Sequence, residues 1–236
     1  PSGLGYLLEN RNLIARQFPK AYEQMQIAPL ANAYRNLIDA LKLESPAGNQ
    51  AHIALLTPGP YNETYFEHSF LARQWGFPLV EGADLAVRDN RVFLKTLAGL
   101  EPVDMILRRM DDDFCDPLEL RGDSLLGIPG LVQAVRSGHV AIANALGSGL
   151  MESAAHMAFL PLLSRQLLGE ELRMPSVATW WCGDKGPRKH VLENLDEVVI
   201  KPAFPRAGQK VEFPATMSKA EREELARRIE ANPEQF

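Results

Sequence analysis

The chain has 236 residues, with 25 Lys and Arg against 30 Asp and Glu for a net charge of −5. That balance excludes the basic face a general nucleic-acid binder needs. Hydrophobic residues make up 46%, ample for a sizeable core and incompatible with a disordered chain.

No apolar run approaches the roughly 18 to 20 residues that span a bilayer, so no membrane partner is expected. Cys115 and Cys182 are the two cysteines, too few for a disulfide framework, and they form no CxxC zinc pair. The start, Pro1-Ser2-Gly3-Leu4-Gly5, carries no basic segment followed by a long apolar stretch, so no secretory signal is visible. A reduced, cytoplasmic setting is the expectation. A chain that begins with Pro1 in place of Met reads as an interior segment.

In chain order, Leu13, Ile14, Phe18, Tyr22 and Met25 keep a spacing of three and four, which predicts an amphipathic helix interrupted at Pro19. Leu30, Tyr34, Leu37, Ile38 and Leu41 predict a second helix that stops near Ser45-Pro46-Ala47-Gly48. The period then changes. His52 to Leu56 reads as a buried strand closed by the turn Thr57-Pro58-Gly59-Pro60, and Tyr61 to Trp75 as a helix with Gly76 just past its end. Phe77 to Val80 is a second strand. Leu85 to Val87 and Arg91 to Leu94 form a hairpin around Arg88-Asp89-Asn90, and Val103 to Leu107 is one more buried strand.

Beyond that, Leu131 to Val135 predicts a short helix, Val140 to Asn144 a strand, and Glu152 to Leu168 a long helix. Val198 to Pro202 reads as a strand that delivers Lys201 at its end, and Lys219 to Ala231 as a charged, solvent-facing helix. The alternation is that of an α/β fold, a Rossmann-like sheet with its site at the strand ends.

Four segments carry residues suited to chemistry. Lys201, with its stem packed and its ammonium held at one point, suits a phosphate or a carboxylate. The following basic loop, which includes Arg206, Gly208 and Lys210, suits a nucleotide's phosphates; an edge lysine followed by an ordinary hairpin turn is the plainer alternative. Arg108, Arg109, Asp111, Asp112 and Asp113 follow directly on an apolar strand. There, arginines hold a carboxylate or phosphate bidentately and aspartates hold an ammonium or Mg²⁺, the alternative being a solvated charge cluster or a cap for the next turn. Glu63, in the first strand-to-helix turn, is either a polar contact or a helix-start charge. The small-residue loop Asn144 to Gly149 permits a close approach of backbone to ligand, as it also permits a plain connection. The histidines sit at no metal-ligand spacing, and His68 reads as a packed or surface residue. No GxSxG elbow is present, which sets a serine hydrolase aside.

The strings PSGLGYLLENR, LLTPGPYNETYFEH, ILRRMDDDFCDPLELR, NALGSGLMES, PSVATWWCGD and VVIKPAFPR, in this order, resemble the circularly permuted ATP-grasp proteins of bacteria, a group that includes glutathionylspermidine-synthase-like ligases. The resemblance runs along essentially the whole chain. It implies a Rossmann-like pre-ATP-grasp domain over 51–145, preceded by a helical segment over 1–50. The start of an incomplete ATP-grasp domain follows over 146–236.

The activity implied is that of an ATP-dependent carboxylate–amine ligase working through an acyl phosphate. Its partners are a small-molecule or peptide carboxylate and an amine, and a homo-oligomer is compatible with it. Lys201 matches the strand-end lysine that contacts the nucleotide's phosphates, and Arg206, Gly208 and Lys210 fall in the phosphate-covering loop. Arg108 and Arg109 match catalytic positions; Ser2, Glu63, Asp111, Asp112 and Asp113 lie where related ligases bind substrate. The cofactors implied are ATP and Mg²⁺. The Mg²⁺ ligands are expected outside this chain, in a Glu-Asp-Asn string ahead of the segment that begins at Pro1, and the adenine-holding strand beyond Phe236. The isolated chain is therefore expected to be inactive. A further nucleotide lysine is usual just before the helix expected at Glu152; Ser153 and Ala154 stand there instead. That departure keeps a second reading open, a non-catalytic peptide- or polyamine-binding module on a degenerate ATP-grasp fold.

Overall fold

The computed structural model describes residues 3–204 and 209–236. Ser2, Arg206 and Gly208, named above as candidates, lie outside the described residues. The chain divides into two units, Pro1–Gly147 and Ser148–Phe236. The architecture is mixed α/β, with one parallel and one antiparallel sheet.

The first unit opens on α1 (Leu4–Gln17), α2 (Pro19–Gln24) and α3 (Ala31–Glu44). Pro19 sits at the first position of α2, where its missing N–H is an orphan anyway, so the proline starts a helix as it ends the previous one. The stripe expected to be buried is not: Leu13, Ile14, Phe18 and Met25 are exposed. The inward face of α1 is instead Leu4, Gly5 and Leu8, packed on a cluster with Tyr34, Leu55 and Leu71. Gly5 permits this closeness, because a Cβ there would lie 2.8 Å from Cγ of Glu67. Tyr34 and Leu41 are the buried anchors of α3.

Next come β1 (Ile53–Leu56), α4 (Tyr65–Trp75) and β2 (Leu79–Val80). The helix α4 ends at Gly76 in the left-handed conformation, φ 73°. The hairpin of β3 (Leu85–Arg88) and β4 (Arg91–Thr96) turns on Asp89 and Asn90 alone, with φ of 50° and 58°, the two-residue turn whose twist matches the strands.

The stretch expected to be one strand is two. β5 (Gly99–Val103) completes the antiparallel sheet β3-β4-β5, and β6 (Met105–Arg108) enters the parallel one. Asp104 makes the switch: its carbonyl accepts from the N–H of Ala141 and its carboxylate from the N–H of His52 at 2.9 Å. After α5 (Leu131–Arg136), β7 (Ala141–Ala143) completes the parallel sheet in the order β2-β1-β6-β7. All four residues of β1 are buried, as expected for an inner strand of a sheet covered on both faces.

The second unit departs most from the sequence pattern. The long helix expected over 152–168 is a series of short pieces: 3₁₀ turns at Ser148–Glu152 and Ala154–Ala158, α6 (Leu160–Leu163) and a π turn at Ser164–Leu168. Ser153 is extended, with ψ 125°, and Pro161 withholds an N–H inside the run. The strand expected over 198–202 reduces to one antiparallel bridge, Ile200 to Glu212, because Pro202 has no N–H with which to extend it. The helices α7 (Lys185–Glu193) and α8 (Lys219–Ala231) pack through Val191, Leu225 and Ile229 around Cys182, Leu195 and Ile200. So α8 is not wholly solvent-facing: Leu225 and Ile229, four apart, are fully buried beneath a charged outer face. A capping box of Ser218 and Glu221 starts it. Among the described residues no helix is long and apolar enough to cross a membrane.

Candidate functional site

In the first unit, the parallel strands bring three segments to one edge. Leu56 is in register with Arg108, and Leu107 with Ala143. Thr57, Arg109 and Asn144 therefore leave the sheet together, at the carboxyl ends where open α/β sheets place ligands.

Glu67, on the first turn of α4, is the centre of this edge. It is 0% exposed, and its carboxylate accepts from the N–H of Gly3 (2.7 Å), the N–H of Gly5 (3.0 Å) and Nη2 of Arg109 (2.9 Å). A charge so deeply placed requires pairing and hydrogen bonds together, and it has both. Arg109 is thus held on a carboxylate of its own chain. So is Arg108, whose Nη2 meets Asp112 at 2.5 Å while Nε donates to the carbonyl of Asn144. The other oxygen of Asp112 accepts from the N–H of Gly147 at 2.7 Å. Asp112 therefore joins the ends of β6 and β7, a structural task absent from the sequence pattern.

Asp111, Asp113 and Glu63 are exposed. Asp116, one turn on, is buried and accepts from the N–H groups of Leu118, Gly130 and Val132, which fixes the start of α5.

Of the two alternatives, packed or surface, His68 is packed, and its hydrogen bonds are directional. The Thr64 hydroxyl donates to Oδ1 of Asn62 at 2.7 Å, so its oxygen accepts from Nε2 of His68 at 3.0 Å. Nδ1 is then the acceptor for the Thr57 hydroxyl at 2.9 Å, and the Thr57 oxygen takes the N–H of Gly59 at 3.2 Å. This chain of bonds runs across the whole turn from Thr57 to Thr64. Burial, and then the neighbouring Arg109 charge, push the imidazole down to about 4, against the opposing pull of Glu67. The ring is neutral at pH 7. Burial likewise pushes the Cys115 thiol up to about 11 and raises that of Cys182, so neither is a thiolate at neutral pH.

The sequence motifs do not single out Glu67. The signal was available: Glu67, His68, Leu71 and Ala72 are the buried face of α4, and two ionisable residues on a core-facing stripe mark a network.

In the second unit, Lys201 opens on a cavity of about 690 Å³. Val198, Val199, Val211, Phe213 and Trp180 supply apolar walls. Lys201 is exposed, without the packed stem the sequence suggested, and among the described residues its ammonium has no ion-pair or hydrogen-bond partner. Lys210 is exposed as well. Ser153 is 5% exposed, and its hydroxyl donates to the carbonyl of Ala203 at 2.6 Å. The indole N–H of Trp181 donates to the carbonyl of Glu234, and the N–H of Cys182 to that of Phe236. A volume of this size, apolar and with few polar groups, is that of a small-molecule or cofactor site. Among the described residues no group of three or more His, Cys, Asp or Glu gathers as for a metal ion.

The profile of the family described as circularly permuted ATP-grasp type 2 matches residues 1–236. The chain belongs to this family. An uncharacterised protein of Synechocystis sp. is 40% identical over 237 residues, covering 100% of this chain and 49% of that protein. Two uncharacterised proteins of Mycobacterium tuberculosis are 39% and 40% identical, covering 99% and 100% of this chain but 42% and 26% of their own lengths. The chain spans half or less of the relatives it matches.

Proposed function

We propose that the protein carrying this chain joins a carboxylate to an amine at the expense of ATP, through an acyl phosphate, and that Lys201 contacts the nucleotide's phosphates. The observation that carries this reading is a largely apolar cavity lined by Lys201, whose ammonium has no partner among the described residues. Apolar walls suit a base and ribose, and a compact point charge suits phosphate oxygens. When bound, ATP would supply the phosphoryl group that turns the carboxylate oxygen into a leaving group, ADP departing as it is transferred. The amine then attacks the carbonyl carbon and phosphate departs. Lys201 offsets the charge of the phosphates as they shift. The described residues supply no metal-binding cluster, so no step is assigned to Mg²⁺ on this chain.

On this reading the first unit is a Rossmann-like pre-ATP-grasp domain whose strand edge meets the substrates. Arg108 and Arg109, each paired internally, organise that edge. The exposed carboxylates of Asp111, Asp113 and Glu63 are the groups able to meet an amine. Ser153, at a position where the family resemblance implies a lysine, favours the second reading, a non-catalytic binder on a degenerate fold.

Thermal shift of the intact protein with Mg²⁺-ATP separates the two. A ligase gives nucleotide-dependent stabilisation that Lys201→Ala removes, about 2.7 kcal/mol at a hundred times Kd. Absence of any shift in the unmutated protein counts against the ligase.

A further inference from the structure

We infer that Ser153 is a positioning residue for Lys201, an inference that rests on the phosphate-contacting role proposed above. Lys201 has no bond of its own among the described residues that would fix where its side chain starts. Its backbone is fixed by its neighbours instead.

On one side, Ile200 exchanges two hydrogen bonds with Glu212, N–H to carbonyl at 2.9 Å and the reverse at 2.8 Å. On the other, Ala203 is 1% exposed and bonded through both of its backbone groups. Its N–H donates to the carbonyl of Gln235 at 2.7 Å, and its carbonyl accepts from the N–H of Ala154 at 3.1 Å and from the Ser153 hydroxyl at 2.6 Å. Between the two anchors stand only Lys201 and Pro202, and the proline's ring fixes its own φ near −65°. The ammonium therefore projects from a two-residue bridge with both ends held.

Every other bond in this clamp is backbone to backbone and insensitive to side-chain identity. Among the described residues the Ser153 hydroxyl is the one side-chain contribution, and it is buried, where a hydrogen bond is stronger than at the surface. The serine acts through the cation already there, by holding the carbonyl two residues beyond it. A small displacement of a point charge is enough to weaken phosphate binding, while an apolar cavity wall tolerates the same displacement.

The test compares ATP with adenosine, which fills the apolar cavity but has no phosphate. Affinities are measured by calorimetry on the intact protein and on Ser153→Ala, Lys201→Ala and the double variant. The expected result is a loss of about five- to tenfold in ATP affinity for Ser153→Ala, the scale of one hydrogen bond, with adenosine unchanged. The double variant is expected to bind ATP no more weakly than Lys201→Ala alone, because the serine acts only through the lysine. Equal losses for ATP and adenosine show a merely structural serine and overturn the inference. So does additivity in the double variant. Unchanged ATP affinity in Ser153→Ala, with a loss in Lys201→Ala, overturns the inference and leaves the proposed function standing. Unchanged ATP affinity in Lys201→Ala overturns both.

Discussion

The carboxylate of Glu67 and the guanidinium of Arg109 meet at 2.9 Å, with side chains 0% and 8% exposed. Glu67 also holds the backbone N–H groups at the start of α1, so one carboxylate ties the first helix to the end of β6. Removing the carboxylate takes a counter-charge from a nearly buried guanidinium and leaves the N–H groups of Gly3 and Gly5 without their acceptor. Glu67→Ala is expected to destabilise the fold by about 3 to 5 kcal/mol in urea unfolding. Glu67→Gln, which keeps an acceptor for the N–H groups, is expected to be milder.

A steric counterpart concerns the same carboxylate. A methyl at Gly5 would lie 2.8 Å from Cγ of Glu67 and 3.3 Å from Cγ of Leu71. Helix propensity alone predicts that Gly5→Ala stabilises α1, by up to about 1 kcal/mol. The crowding reverses the sign: the expected outcome is a loss of about 1 to 3 kcal/mol, read from the urea midpoint.

His68 predicts a pH dependence. Its folded value is depressed to about 4 from an ordinary 6.5, so between these values the unfolded chain binds more protons than the folded one. Stability from this group is complete above pH 6.5 and declines as pH falls toward 4. The total is roughly 3 kcal/mol, at about 1.4 kcal/mol per pH unit. The measurement is the difference between the stability curves of the unmutated protein and His68→Gln. The account predicts a difference that grows with pH from 4 to 6.5 and is flat above.

Much of the first unit was legible because its signals are local. The run from His52 to Leu56, the Asp89-Asn90 turn and Gly76 past α4 each settle their own conformation. What escaped depends on distant partners. Nothing within five residues of Asp104 announces that it moves the chain from one sheet to the other; the reason is its bonds to His52 and Ala141. The apolar spacing of Leu13, Ile14 and Phe18 is a genuine stripe, yet the close approach at Gly5 chooses the opposite face of the helix.

At the site, residue type was informative and partnership was not. The RRMDDD string identified the strand edge, but Arg108 and Arg109 proved to be held by Asp112 and Glu67, one of them forty-two residues away. In the second unit, periodicity implied a long helix and a full strand. Pro161 and Pro202 deny both, since each withholds an N–H that the regular element needs. Lys201 accordingly sits not at the end of a strand but in the two-residue stretch between Ile200 and Ala203.

The central claim is that a nucleotide occupies the cavity beside Lys201. Its most direct test is photolabelling of the intact protein with 8-azido-ATP, followed by peptide mass spectrometry. The account predicts label on the cavity-lining peptides around residues 177–182 or 198–213, suppressed by excess ATP and reduced in Lys201→Ala. Label confined to peptides of 1–147, or label that excess ATP does not suppress, would contradict it.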